Sequence, residues 1–283
     1  MGGDILGTAA WYELYQGLEY LGDMLEKMWA ILTTSPQTFK GGTIWSIIST
    51  INGVLGAIGT ALLVLFFTVG VIKTCGSFAE LRKPETAVKV FIRFAIAKYL
   101  IDNCLTLLVD FVTIVQGIIS KVTGASSIGT ALEFTIPSEV QSTFEGIGIL
   151  DGAIPIWAVC FIAHLAFIVV GLVLLLTVYG RFFRIYMYAA IAPIPLATMA
   201  GQPTENIAKS FLKSFAGVCL QGVVIVLACV IFTAYAASMP QMNTSYEPLK
   251  MVWIYVTEVV FNMLVLVGLV KGSDRIIHDM MGL

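Results

Sequence analysis

The chain has 283 residues, of which 58% are hydrophobic and only 12% are charged, and its mean hydropathy is +0.91. Because soluble domains carry about a quarter charged residues, this composition excludes a soluble globular protein and indicates an integral membrane protein. The net charge of −2 decides little, since the placement of charge along such a chain matters more than its sum. The five cysteines show no metal-ligand spacing, so we expect buried, apolar cysteines and no metal or cofactor.

The first predicted element is an amphipathic helix over residues 5–33, in an external segment 1–40. Its apolar side chains alternate three and four residues apart, which is the period of one helix face. The other face is acidic, whereas a helix on a membrane surface usually carries lysine and arginine there. We therefore expect the apolar face to pack on the rest of the chain, a neighbouring copy or a partner; interfacial anchoring by Trp11 and Trp29 is the alternative. The face consists of Trp11, Leu14, Leu18, Leu21, Leu25, Met28 and Leu32.

Residues 41–283 are predicted to form a transmembrane domain, and the fold class is all-α: a polytopic bundle of five transmembrane helices. Each span takes about 20 mostly apolar residues. The predicted spans are near 44–72, 99–120, 154–180, 214–238 and 251–270. The predicted connections are an external loop at 121–153, internal loops at 73–98 and 181–213, and an internal C-terminal tail at 271–283.

The glycines of "INGVLGAIG" in the first span stand three residues apart, at Gly53, Gly56 and Gly59. Small residues on one helix face allow two helices to approach closely inside a membrane. We therefore expect this segment to pack tightly on another helix, and a packing role is favoured over ligand binding.

The stretch "IYMYAAIAPIPLATMAG", residues 185–201, is uncharged but carries Pro193 and Pro195 in its middle. If it does not cross the membrane, 12 of the 16 lysines and arginines lie on one side, whereas a crossing divides them nine and seven. Positive residues stay cytoplasmic, so five spans, an external N-terminus and a cytoplasmic C-terminus are favoured. The two prolines then mark a cytoplasmic re-entrant or interfacial element, or a helix that ends at Ala192 before a short turn.

Three ionisable residues lie inside the apolar segments: Asp110, His164 and Glu258. Such groups are candidates for a water-filled pathway, a cation site or contact with a partner subunit. A protonated or hydrogen-bonded carboxyl inside the bundle is the alternative for both acids, and a packed core residue is favoured for His164. No catalytic or nucleotide-binding motif is present, so we expect no enzymatic activity.

The topology and one long stretch together resemble a known family. From Tyr179 to Leu227 the chain reads "YGRFFRIYMYAAIAPIPLATMAGQPTENIAKSFLKSFAGVCLQGVVIVL": an aromatic-basic helix end, a Pro-x-Pro break, a polar turn and an "FLKSF" entry into the next span. The ending "LVKGSDRIIHDMMGL" adds a basic tail. These features resemble the TrbL-type (VirB-class) polytopic inner-membrane subunits of type IV secretion and conjugative transfer systems.

The resemblance implies a structural or channel subunit of the bacterial cytoplasmic membrane. It implies a homo-oligomeric ring beside the secretion ATPase and beneath an extracytoplasmic stalk or pilus subunit. It also implies contact with membrane lipid and transient contact with single-stranded DNA or protein substrates, and it gives the N-terminal helix a role in assembly. The main alternative is a secondary transporter that uses Asp110, Glu258 and the APIP break as a midplane site. We find no internal repeat, which counts against a transporter.

Overall fold

The structure is a computed structural model that describes residues 3–74, 84–126, 138–146, 152–236 and 248–282. Within these ranges the chain is almost entirely helical and contains no strand, which confirms the predicted all-α class. The helices are α1 (Gly3–Thr33), α2 (Thr43–Thr74), α3 (Pro84–Asp102), α4 (Cys104–Ser126), α5 (Ser138–Glu145), α6 (Ala153–Ile191), α7 (Pro193–Ala197), α8 (Glu205–Ala236) and α9 (Pro248–Met281).

Local chemistry explains several of these boundaries. Pro84 and Pro248 each begin a helix, where the missing N–H would have had no helical partner. Gly41 and Gly42 adopt positive φ angles of 72° and 76° in the turn before α2, a conformation that glycine reaches without strain. The same applies to Gly282, which follows the last turn of α9 with a φ of 63°.

Five helical segments in the described ranges are long and apolar enough to cross a membrane, in the order that the sequence predicts. Four of them have 31 to 39 residues, more than the roughly 20 that a bilayer requires, so these four would tilt in a bilayer or protrude from it. The longest is α6, because the helix continues past Gly180 through the aromatic-basic residues that the sequence assigned to an internal loop. The segments are Phe39–Lys73, Cys104–Gly124, Ala153–Ile191, Glu205–Tyr235 and Lys250–Met281.

The chain divides into two compact units, and α4, α6, α8 and α9 each contribute several residues to both. The first unit comprises Met1–Leu32, Ser120–Tyr179 and Val224–Ser273. The second unit comprises Thr33–Ile119, Gly180–Val223 and Asp274–Leu283.

The first unit is built around α1 and α6. Six of the seven residues in the predicted apolar face of α1 are buried within the chain, so this face packs on its own chain. The exception is Trp11, which is half-buried with its ring centroid 5.9 Å from that of Phe144 in α5. An additional role of α1 in assembly stays a prediction.

The second unit is built around α2, which contacts both α3 and the proline-containing segment after α6; α3 and that segment also contact each other. Phe67 of α2 contacts two rings of α3, at centroid distances of 6.3 Å to Phe91 and 4.8 Å to Phe94. Phe94 meets it edge-on, an arrangement that aromatic pairs favour. The proline segment therefore packs on a pair of helices, α2 and α3, that also pack on each other.

Candidate functional site

The proline segment continues the helical path of α6 instead of reversing it. Ala192 joins α6 to α7 with φ −47° and ψ −41°, which are helical values, and a 3₁₀ turn, Thr198–Ala200, follows. Pro193 and Leu196 are buried. The break is thus a packed element of the second unit: α6 ends at Ile191, and Ala192 is a turn residue that leads directly into the short helix α7. Its position relative to the membrane stays a prediction.

The proline break leaves the carbonyl group of Ala189 without a main-chain hydrogen-bond donor. Pro193 has no N–H, so the carbonyl of Ala189, four residues earlier, loses its main-chain hydrogen bond. The Asn52 side chain on α2 supplies the replacement, with Nδ2 donating to the Ala189 oxygen at 2.7 Å. The thiol of Cys104 donates to the Asn52 oxygen at 3.4 Å, so both ends of this buried amide are bonded. The break is held by residues from α2 and α4.

Glycine allows α2 to approach the break closely. A Cβ atom on Gly59 would lie 2.8 Å from the Pro193 carbonyl oxygen and 2.9 Å from its Cβ, closer than real side chains come. A Cβ on Gly201 would lie 2.8 Å from the Phe66 carbonyl oxygen. By contrast, Gly53 and Gly56 have open space around them, so the packing expected of "INGVLGAIG" concentrates at Gly59.

A hydroxyl and charge network follows the break. The Thr198 hydroxyl donates to the Pro195 carbonyl at 2.7 Å, and the Thr204 hydroxyl donates to the Thr198 carbonyl at 2.7 Å. At the start of α8, Glu205 lies 3.0 Å from the Arg93 guanidinium of α3 and also pairs with Lys209. These contacts connect the end of the proline segment to α3 and α8.

Arg181 is the largest charged side chain in the core, only 2% exposed. Its Nε donates to the Val218 carbonyl at 3.2 Å and one Nη donates to the Cys219 carbonyl at 3.0 Å, both on α8. Gly222 makes room for the guanidinium, since a Cβ there would lie 2.5–2.7 Å from its atoms. Among the described residues Arg181 has no ion pair, so main-chain oxygens alone compensate its charge.

The next turn of α6 carries a second arginine in a more solvated setting. Arg184 donates to the Asp274 carboxylate of α9 at 2.7 Å and to the Gln221 side chain of α8 at 3.1 Å. Three helices of the second unit thus meet at the two arginines. Sequence patterning had assigned both arginines only to an internal loop.

The structure places the three predicted intramembrane ionisable residues in different surroundings. His164 Nδ1 lies 2.7 Å from a carboxylate oxygen of Glu13 on α1, an acid that the sequence assigned only to the polar face. Asp110 is exposed in the second unit, and Glu258 is half-buried in the first unit. Neither acid has a hydrogen bond or ion pair with a residue that the structure describes. Near the end of α3, Lys98 and Asp102 form a local pair one turn apart, with the lysine Nζ 2.6 Å from the carboxylate.

A family model described as TrbL/VirB6 plasmid conjugal transfer like protein matches residues 23–193. That range is more than half of the chain and extends from α1 to the proline break. The chain belongs to this family. It is accordingly a membrane-protein component of conjugal transfer machinery that interacts with other subunits of that machinery. A comparison with curated proteins gives no match.

The TrbL/VirB6 match and the sequence resemblance coincide only in part. The resemblance was assigned to Tyr179–Leu227, but the family model ends at Pro193 and therefore shares only residues 179–193 with that stretch. Most of the matched range is α2–α6. It includes Asn52 and Cys104, whose side chains form the hydrogen bonds that hold the proline break. A secondary transporter, the alternative that the sequence left open, has no support in this match.

Sequence reasoning missed the partner residues Asn52, Glu13, Gly222 and Arg181. The sequence does show a freed carbonyl at Ala189, because it lies four residues before Pro193. It does not show which residue bonds to that carbonyl, since the donor is 137 residues away. One feature of the sequence could have indicated the donor. Asn52 is a lone asparagine inside an uncharged span, and a buried amide side chain there needs a hydrogen-bond partner.

Proposed function

We propose that this TrbL/VirB6-family chain is a non-enzymatic structural and channel subunit of a type IV secretion machine. It is embedded in the bacterial cytoplasmic membrane with its N-terminus outside and its C-terminus in the cytoplasm. The observation that carries the proposal is the family match over residues 23–193. The charge distribution supports the orientation, because 12 of the 16 basic residues then face the cytoplasm.

The subunit forms a homo-oligomeric ring with the secretion ATPase on one side and an extracytoplasmic stalk or pilus subunit on the other. Exposed apolar side chains support extensive contact with lipid and other subunits. Val54 and Ile72 of α2 and Phe91 of α3 are each more than 60% exposed in the single chain. Surfaces of this kind mark membrane or protein contacts. Single-stranded DNA or protein substrates contact the assembled ring transiently.

The proline break serves this function as a rigid joint. Its freed carbonyl is bonded to Asn52, and its residues from Ala189 to Gly201 are mostly buried. A hinge would leave such groups unpaired or solvated. The break therefore holds the end of α6 and the start of α8 in one arrangement on which partner subunits assemble.

The test uses a strain that lacks this chain and carries the rest of its transfer machine. The unaltered chain restores substrate transfer, and Gly59→Ala restores it less than Gly53→Ala, because only Gly59 touches the break. Membrane abundance of both variants is measured alongside. Copurification of the unaltered chain with the secretion ATPase is also expected.

Full transfer without the chain would overturn the proposal. So would substrate uptake by liposomes that contain only this protein, which would favour a transporter instead.

A further inference from the structure

Helix α4 carries a polar face that points away from the rest of the described chain. Thr106, Asp110, Thr113 and Gly117 follow one another at intervals of three or four residues, and all four are exposed. Residues at such intervals lie on one side of a helix. A Cβ on Gly117 would meet nothing within 4 Å, so this side of α4 is open.

The polar face of α4 is poorly suited to lipid, because it contains a carboxylate. Asp110 lies between Asp102 and Lys121 and is otherwise the one charged residue of this apolar stretch of the sequence. Its side chain has no hydrogen bond or ion pair with a residue that the structure describes. A carboxylate that faces hydrocarbon is expensive. The face therefore needs a polar partner in addition to the residues described.

Helix α8 exposes a cation on a face of the same kind. Asn206, Ser210 and Lys213 are spaced four and three residues apart, and all three are exposed. Lys213 has no ion pair with a described residue, whereas Lys209 of the same helix pairs with Glu205. The second unit thus presents an acid on one polar face and a base on another.

An aromatic contact places these two charges at nearly the same height. The ring centroids of Phe111 on α4 and Phe215 on α8 are 6.0 Å apart. Asp110 directly precedes Phe111, and Lys213 lies two residues before Phe215. Each residue advances a helix by about 1.5 Å, so both charges lie within about one turn of the ring contact.

Equal height makes the two charges complementary between copies of this chain. Copies that share a membrane in a ring are related by rotation about an axis perpendicular to it, so each residue keeps its depth. Asp110 of one copy then matches the depth of Lys213 on the next. Contact between two α4 faces would instead bring two carboxylates together, which is unfavourable. The small residues of the α4 face allow a neighbouring helix to approach closely.

We propose that neighbouring copies of this chain join through the polar face of α4 on one copy and the first turns of α8 on the other, with Asp110 paired to Lys213. The proposal deepens the proposed function and rests on it, since it assigns the surface that closes the homo-oligomeric ring. The long lysine side chain reaches across the contact while its aliphatic part packs on the neighbouring helix.

The first experiment is cross-linking between differently tagged copies in cells that carry the complete transfer machine. In a chain whose five cysteines are replaced by serine, Asp110→Cys carries one affinity tag and Lys213→Cys carries another. A short bis-maleimide should join the two tags in one species of twice the chain mass. Val54→Cys paired with Lys213→Cys is the matched control, because Val54 is 63% exposed on α2. A yield no higher than that of the control would overturn the proposal.

The second experiment exchanges the two charges. Asp110→Lys and Lys213→Asp should each lower substrate transfer about tenfold or more, because each brings like charges together at the contact. Both substitutions in one chain should restore transfer to nearly the level of the unaltered chain. Membrane abundance of every variant is measured alongside.

A matched charge exchange serves as the control. Asp110→Lys with Lys40→Asp should not restore transfer, although Lys40 is another exposed lysine of the second unit. Rescue by Lys40→Asp, or failure of Lys213→Asp to rescue, would overturn the assigned pair. The second of these results is the one expected if Asp110 faces lipid headgroups or a water-filled passage.

The size of the detergent-solubilised assembly provides a measurement that does not depend on transfer. Cross-linking and recovery of the assembly by the charge exchange, in a strain whose transfer does not depend on this chain, would count against the proposed function alone. Transfer that depends on the chain, without cross-linking or rescue, would count against this interface alone.

Discussion

The side-chain nitrogen of Asn52 lies 2.7 Å from the carbonyl oxygen of Ala189, the group that Pro193 leaves without a helical donor. A helix break inside a membrane protein is tolerated where neighbouring helices bond to the freed backbone groups. Asn52 does this from α2 and is only 5% exposed. The break and the helix that supports it are therefore a single structural feature.

Replacing Asn52 with leucine should destabilise the protein. The substitution keeps the branching and the number of side-chain heavy atoms but leaves the Ala189 carbonyl buried without a donor, at a cost of about 1–2 kcal/mol. Thermal unfolding of the purified protein in detergent measures the change. Thr50→Val is the matched control, because the Thr50 hydroxyl is exposed and bonds only to Ser46 of its own helix. Equal unfolding temperatures for the two variants would contradict the assigned role of Asn52.

Replacing Gly222 with alanine should displace the Arg181 guanidinium. The new methyl group would lie 2.5–2.7 Å from guanidinium atoms that have little free space, and overpacking of this kind costs about 1–3 kcal/mol. Gly268→Ala on α9, where the added methyl meets nothing within 4 Å, should not lower the unfolding temperature, because alanine is favoured over glycine inside a helix.

The double variant Gly222→Ala with Arg181→Met tests whether the destabilisation comes from overlap between the new methyl group and the Arg181 guanidinium. Removing the guanidinium removes the overlap, so the two substitutions should be non-additive in unfolding free energy. Additive effects would show that Gly222 acts through something other than Arg181.

The Glu13–His164 pair should be more strongly coupled than the Lys98–Asp102 pair. The first joins two helices and both side chains are at most one quarter exposed, whereas the second is an exposed pair within one helix. Exposed pairs of that kind contribute about 0.3–0.5 kcal/mol. Double-mutant cycles with Glu13→Gln and His164→Gln, and with Lys98→Gln and Asp102→Asn, measure both energies. A larger coupling for the exposed pair would refute this ranking.

The proline segment should be reachable only from the cytoplasmic side. Thr198 and Gly201 are buried in the chain, so labelling either would report burial and not topology. Gln202 is exposed and is the better probe. In the background without native cysteines, Gln202→Cys should react with a membrane-impermeant maleimide in inverted vesicles and not in intact cells, with the opposite result for Ser142→Cys. Labelling of Gln202→Cys in intact cells would favour a sixth crossing.

The features that the sequence predicted well are those that repeat along one helix. The stripe from Leu14 to Leu32 is buried as expected, because its period of three and four is a property of the helix itself. The same holds for the five apolar segments, whose length and composition are local quantities. The glycines of the first span show where a local pattern is insufficient. The spacing of Gly53, Gly56 and Gly59 predicts close packing, but only Gly59 lies against the backbone of another segment.

The sequence by itself determined the membrane class, the all-α fold, the five apolar segments and the existence of a proline break, because each follows from composition or from residues near one another in the chain. Only the tertiary structure decided which residues meet. Asn52 reaches Ala189, Glu13 reaches His164, and Gly222 makes room for Arg181. Hydrogen-bond donors and close contacts depend on distances between helices, and no local pattern carries that information.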